Sequence, residues 1–209
     1  MRLHNDLIME LQGFVPESFC NHLINKFEND DRKNHGSFHK GDKKVMDTKM
    51  KDSIDLPISR FDEWSEEDKL IYKYIGDSVK IYNKYIREEY GLFSELKNIC
   101  LYDDGYIIGK QVKDNNGLLW HYDLNLNPES YVSGILYLNT LESHEGGCTE
   151  FLNGRKIRPE CGKIMIFPMN WTYPHRGNYV KSDYRYILTF SLYFSEFDPK
   201  FKGHKHKDL

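Results

Sequence analysis

The sequence predicts a mainly β protein backed by helices, and three observations lead there. Five short apolar runs follow residue 97, each punctuated by Gly, Asn, Asp or Pro. Two stripes of apolar residues at helical spacing precede them. Aromatic residues make up 14% of the 209, a bias that suits pleated sheets. A chain of this length is expected to form one domain over residues 1–209, with helical support mainly in 1–97 and a β core mainly in 98–197.

The elements follow in order. Residues 7–14 (LIMELQGF) read as a short strand. Pro16 opens a helix that aligns Phe19, Leu23, Ile24 and Phe27 on one stripe. Residues 29–57 are polar, charged and glycine-containing. They read as a long surface loop with one short strand around residues 44–48, placed where a lid over a substrate can form. Ser65 is the expected cap of a second helix, because Glu66, Glu67 and Asp68 suit its positive N-terminal end. Ile71, Ile75, Val79, Tyr82 and Ile86 then form a core-facing stripe, and Gly91 ends the helix. The strand runs are residues 99–102, 106–109, 134–138, 163–167 and 186–194, which suggest a β-sandwich or barrel.

Bulk properties exclude several functions. The net charge is -3 and the isoelectric point about 6.3, so no basic surplus recruits nucleic acid. The opening residues carry no long apolar core and no cleavage site, and no apolar run reaches membrane-spanning length. The expectation is a cytoplasmic protein with no membrane partner. Cys20, Cys100, Cys148 and Cys161 form no C-x-x-C pair and are expected to be reduced, with a disulfide between Cys148 and Cys161 left open. The terminal residues 202–209 (KGHKHKDL) read as a solvated tail.

The chemistry-bearing residues are His121, Asp123, His175 and Arg185. Ferrous iron accepts imidazole nitrogen and carboxylate oxygen, and two imidazoles with one carboxylate on one face leave the other face open for oxygen chemistry. A His-x-Asp pair puts both side chains on one side of a strand, since strand periodicity is two. His175 follows an apolar run and a turn and is the candidate third ligand. Arg185 lies ten residues further on, past a turn at 176–178, where a buried guanidinium would pair bidentately with a carboxylate. Thr149 offers a hydroxyl from the 146–151 segment (GGCTEF). Trp120 and Trp171 flank the proposed ligands as pocket walls or packing residues. Each element alone is weak, and the order and spacing together are specific.

These segments carry a resemblance. Residues 14–20 (FVPESFC), 120–123 (WHYD), 134–139 (GILYLN), 146–151, 159–168 (PECGKIMIFP), 175–177 (HRG) with Val180, and 185–186 (RY) are similar to the 2-oxoglutarate and iron(II)-dependent dioxygenases, especially the prolyl 4-hydroxylase-like group. The resemblance implies a double-stranded β-helix (jelly roll, cupin-like) core with supporting helices. It implies metal ligation by His121, Asp123 and His175, with Arg185 binding the 2-oxoglutarate C5 carboxylate and Thr149 near the co-substrate. It further implies Fe(II), 2-oxoglutarate, O2 and ascorbate as cofactors, and hydroxylation of a C–H bond with decarboxylation of 2-oxoglutarate to succinate. The implied partner is a peptide or protein substrate, proline-rich, hydroxylated at proline; the alternative is another side chain or a small molecule. The chain departs from the family where a co-substrate-binding tyrosine is expected, for it reads Gln111, Val112, Lys113 there; Tyr102 and Tyr137 are the substitutes. Ser130 and Tyr131 stand where several members carry an arginine near the peptide.

Three other readings compete. A cupin-type metal protein would use His121, Asp123, His175 and Glu150 without 2-oxoglutarate. A nucleic-acid demethylase of the same fold would show a second arginine six residues past Arg185, where Ser191 stands. A non-catalytic binding module would keep its histidines for structure alone and would not be stabilised by 2-oxoglutarate.

Overall fold

The computed structural model describes residues 2–3, 6–40, 43–91, 99–113, 118–123, 129–181, 184–195 and 203–209. Two antiparallel sheets dominate. The larger runs β1 (Arg2–Leu3), β2 (Met9–Leu11), β13 (Ile164–Pro168), β10 (Ser130–Tyr137), β15 (Tyr184–Tyr193), β8 (Ile107–Val112), β6 (Ile54–Pro57), β3 (Asn34–His35). Beside that path, β7 (Leu101–Asp103) pairs with the far end of β15, and β16 (Lys205–His206) pairs with β7. The smaller sheet runs β12 (Lys156–Ile157), β11 (Thr149–Phe151), β14 (His175–Gly177), β9 (Leu118–His121). A separate hairpin joins β4 (Phe38–Lys40) to β5 (Lys43–Val45). Two sheets faced against each other with helices behind one of them form the double-stranded β-helix.

Strand alternation explains how the layers meet. Ile135, Tyr137, Met165 and Phe167 point one way and pack on Phe151 and Ile157 of the smaller sheet. Leu136, Ile164, Ile166, Leu188 and Leu192 point the other way into the helical core. Both faces of β10, β13 and β15 are therefore covered, which is why β13 reads as an unbroken apolar run. Each fully buried aliphatic contributes on the order of 1.5–3 kcal/mol. At the centre, Phe190 lies across Gly134, its partner in register. A Cβ on Gly134 would stand 2.0 Å from the Phe190 ring, so only glycine lets the ring lie there.

The two helices lie behind the larger sheet. Helix α1 (Glu17–Glu28) buries Cys20, Leu23 and Phe27, and α2 (Ser65–Tyr90) buries Ile71, Ile75, Val79, Tyr82 and Ile86. Gly91 ends α2 in the left-handed conformation at φ 61°, as its lack of a Cβ permits. The start of α2 differs from the sequence expectation. Ser65 is already helical, Trp64 occupies the cap position without a side-chain bond, and a 3-10 turn (Asp62–Trp64) leads in. No helix among the described residues is long and apolar enough to cross a membrane.

Two segments read as loop or tail are corrected. Within residues 29–57, Ile54–Pro57 joins the larger sheet as β6, with Leu56 fully buried and paired to Ile108. Lysines and aspartates around this short strand hide its alternation in the sequence. Of the terminal segment, Lys202 lies outside the described residues, and residues 203–209 are docked rather than solvated. His206 and Leu209 are buried, and Tyr72 stacks on the His206 ring at 4.3 Å. Asp103 accepts from His206 Nε2 at 2.8 Å, from His204 Nδ1 at 3.0 Å and from the Tyr106 hydroxyl at 2.6 Å. His204 Nε2 donates to Asp68 on α2 at 2.5 Å, and Ser59 also donates to Asp68. Both nitrogens of His204 face carboxylates, so both carry protons and the ring is an imidazolium. The four described cysteines are free. Cys148 Sγ accepts from Asn178 and Cys161 Sγ donates to the Leu138 carbonyl, so these two thiols have separate partners.

Two outcomes follow for stability. Gly134→Ala should lower it by about 1–3 kcal/mol through overpacking against Phe190, read as a lower urea midpoint. For His204, burial alone would lower the imidazole pKa, but the Asp103 and Asp68 bonds outweigh it and raise it from 6.5 to about 10. A raised folded value stabilises below pH 6.5, and the gain is lost as pH rises through about 10. Asp103 is held well below the usual carboxylate range: burial opposes this, and its two histidine partners prevail. Its contribution holds above the unfolded carboxylate value near 4 and fades as pH falls below it. The melting-temperature gap between wild type and His204→Ala should thus be widest between about pH 4 and 6.5 and close toward pH 10.

Candidate active site

One rung of the smaller sheet brings two of the candidate ligands together. His121, the last residue of β9, pairs directly with His175, the first residue of β14, and their ring centroids lie 4.2 Å apart. Asp123 lies two residues beyond the end of β9, with Oδ1 3.4 Å from His121 Nε2 and Oδ2 3.7 Å from His175 Nε2. One donor atom from each residue falls within 4.8 Å of the others, a set able to hold a metal ion. Residues 124–128, which follow Asp123, lie outside the described residues.

The rings are oriented from behind. His121 Nδ1 faces the Leu119 carbonyl at 2.8 Å, and His175 Nδ1 faces the Tyr173 carbonyl at 3.2 Å. A carbonyl only accepts, so each Nδ1 carries a proton, and each Nε2 is the atom turned toward Asp123 and available to a metal. Phe167 and Phe151 pack on His175 at 4.8 and 5.6 Å between centroids. Burial lowers the pKa of His175 and keeps its imidazole neutral. Burial pushes His121 the same way, but the bond and charge of Asp123 outweigh it and raise it. Asp123 is pushed up by burial, yet His175 and His121 hold it well below the usual carboxylate range.

Opposite this triad lies a cavity of about 400 Å³ between the two sheets, reached by His121, Asp123, His175, Thr149, Gln111 and Arg185. Arg185, near the start of β15, is 2% exposed. Its Nη1 donates to Gln111 Oε1 at 2.6 Å, its Nη2 donates to Thr149 Oγ1 at 2.8 Å, and its guanidinium lies 5.6 Å from the Tyr137 ring. Among the described residues its Nε has no partner and no carboxylate forms an ion pair with it. Burial pushes its pKa down. The space beside it is kept open by Gly177, where a Cβ would stand 2.8 Å from Nη1. An unpaired buried cation next to a hollow that one methyl group would fill fits an anionic ligand. Two imidazoles that turn Nε2 inward, together with a carboxylate, fit a borderline divalent metal such as Fe(II).

Other residues singled out in the sequence divide. Thr149 sits between Arg185 and Tyr137, whose hydroxyl donates to it at 2.7 Å. Tyr102 is a correction. It lies on β7 opposite Tyr193, eight residues along β15 from Arg185 or roughly 26 Å, and does not line the cavity. Glu150 alternates away from Thr149 and pairs with Arg176 at 2.7 Å, which removes it from the ligand set a cupin-type site would need. Trp120 and Trp171 are 39% and 69% exposed and wall no part of the cavity, and Trp120 instead lies under the Arg176 guanidinium at 4.8 Å. Gln111 and Gly177 were not recognised from the sequence as site residues. The signal for Gln111 was a polar residue at an inward strand position, in line with Ile107 and Gly109. From residues 29–57, Ser37, Met50, Lys51, Ser53 and Asp55 line the cavity. There Lys51 pairs with Asp55 at 2.6 Å, and the Met50 carbonyl accepts from Leu119 N at 3.0 Å on β9, the strand that carries His121.

Comparison with known proteins agrees with this geometry. Residues 108–193 match the family described as the 2OG-Fe(II) oxygenase superfamily. No curated protein sequence matches the chain. Among solved structures, a prolyl hydroxylase from Trichoplax adhaerens, in complex with a hypoxia inducible factor oxygen degradation domain peptide fragment, superposes with a TM-score of 0.71 at 15% identity, over 90% of this chain and 84% of that one. A Pseudomonas putida prolyl-4-hydroxylase gives 0.63 at 16% identity, over 90% and 94%. The viral collagen prolyl hydroxylase of Paramecium Bursaria Chlorella virus-1 gives 0.54 at 17%, over 90% and 96%. The matched residues 108–193 carry the histidines, the aspartate and the buried arginine, so this part of the chain is similar to the 2OG-Fe(II) oxygenase superfamily, and the fold is similar to that of prolyl hydroxylases.

Proposed function

We propose that this protein is a 2-oxoglutarate- and Fe(II)-dependent dioxygenase that hydroxylates a C–H bond of a peptidyl proline. The observation that carries the reading is the convergence of His121, Asp123 and His175 on one side of a cavity whose other side holds an unpaired buried arginine. Proline in a peptide is favoured as substrate because the similar folds are prolyl hydroxylases and one of them is complexed with a peptide.

The residues would divide the work as follows. His121, Asp123 and His175 would hold the iron, their rings fixed by the Leu119 and Tyr173 carbonyls so that no reorientation is needed on binding. Arg185 would hold the distal carboxylate of 2-oxoglutarate with Thr149 beside it. Bound iron and 2-oxoglutarate supply oxygen activation, with decarboxylation to succinate, and the protein supplies geometry and exclusion of water. Phe151 and Phe167 pack behind His175, and Met50, Lys51, Ser53 and Asp55 line the cavity.

Anaerobic titration with Fe(II) and 2-oxoglutarate should produce a weak visible charge-transfer band, and succinate should form when proline-containing peptides and O2 are added. Absence of the band at saturating ligand would refute the reading. Asp123→Ala should lose iron retention and all coupled turnover, measured by metal content and succinate release. Arg185→Ala should keep its iron but raise the KM for 2-oxoglutarate by roughly a hundredfold, as expected for loss of a charge-assisted pair. Full rate at low 2-oxoglutarate in that variant would remove Arg185 from the role.

A further inference from the structure

We infer that Gln111 is a second anchor for the distal carboxylate of the co-substrate, donating through its side-chain amide while its carbonyl holds Arg185. This rests on the 2-oxoglutarate reading and adds a residue to it.

The argument begins with donor and acceptor chemistry. A guanidinium has only donors. The Gln111 amide stands 2.6 Å from Arg185 Nη1, so its oxygen must face the arginine, and its NH2 must face elsewhere. That amide reaches the hollow above Gly177. A Cβ there would meet Arg185 Nη1 at 2.8 Å, Gln111 Nε2 at 3.3 Å and Gln111 Oε1 at 3.6 Å. Gln111 is 5% exposed and lines the cavity, and Nε2 has no hydrogen-bond partner among the described residues. The hollow is thus bordered by two donor groups on neighbouring strands, locked in register as the pair Arg185 and Gln111 of β15 and β8. Between them they present positive charge and N–H groups without a carboxylate to satisfy them. A ligand carboxylate seated above Gly177 would meet both. The same strand, β14, carries His175 two residues earlier, so the anchor and the metal ligands share one support.

A charge change tests this. Gln111→Glu would place a carboxylate against Arg185 and supply from within the protein the partner that the ligand otherwise brings. With Mn(II) bound in place of iron and O2 excluded, wild type should gain thermal stability with added 2-oxoglutarate. Gln111→Glu should melt higher than wild type without 2-oxoglutarate and show no further rise with it. Gln111→Met keeps the side-chain length without the amide. It should bind Mn(II) as tightly as wild type while its dissociation constant for 2-oxoglutarate rises roughly tenfold or more. A wild-type response to 2-oxoglutarate that persists undiminished in Gln111→Met, or in a folded Gln111→Glu, overturns the role of Gln111 alone. No response in wild type overturns the co-substrate reading and this assignment with it.

Discussion

The pairing of His121 with His175 across β9 and β14 is the contact on which the rest of the site depends. Neither strand is long, and β14 has three residues. Its register with β9 is interrupted between His175 and Gly177, and such bulges re-aim side chains. One end of this short strand offers an imidazole to the metal position. The other end, by lacking a side chain, opens the space beside Arg185. The candidate metal position and the hollow beside Arg185 are thereby placed at the two ends of three residues of backbone.

Arg185 shows where stability is given up. A buried ion without a partner carries a penalty of several kcal/mol, and Gln111, Thr149 and the Tyr137 ring offset it only with neutral groups. Elsewhere the chain pairs its buried charges. Lys163 meets Glu10 at 3.0 Å and Glu160 at 3.1 Å, and Asp103 meets two histidines. The contrast between these satisfied networks and the unsatisfied arginine separates groups that hold the fold from a group poised for a ligand.

Much of this was legible in the sequence, for identifiable reasons. His121, Asp123, His175 and Arg185 are polar residues set among strand-like runs, and order and spacing single them out. The helical stripes were legible because their period is unambiguous, and Gly91 because a glycine just past the last residue of such a stripe ends a helix. What escaped notice depended on pairing between distant segments. Ser65 suits a cap chemically, but the 3-10 turn before it had already started the helix. The terminal histidines look solvated until Asp103 and Asp68 are placed beside them. Tyr102 seemed eligible because a sequence does not say at which end of β15 its strand will pair. Gln111 appeared only as a missing tyrosine, since its role comes from lying opposite Arg185.

The two-sided packing of β10 and β15 has a consequence for how such a chain can change. Odd and even residues serve different layers, one set the cavity and smaller sheet, the other the helices. Loss or gain of one residue inside either strand would exchange the sets downstream, sending apolar helix contacts into the cavity and cavity residues under the helices. Descendants of this chain can therefore vary these strands by replacement at fixed positions, while changes of length are confined to the connections between them.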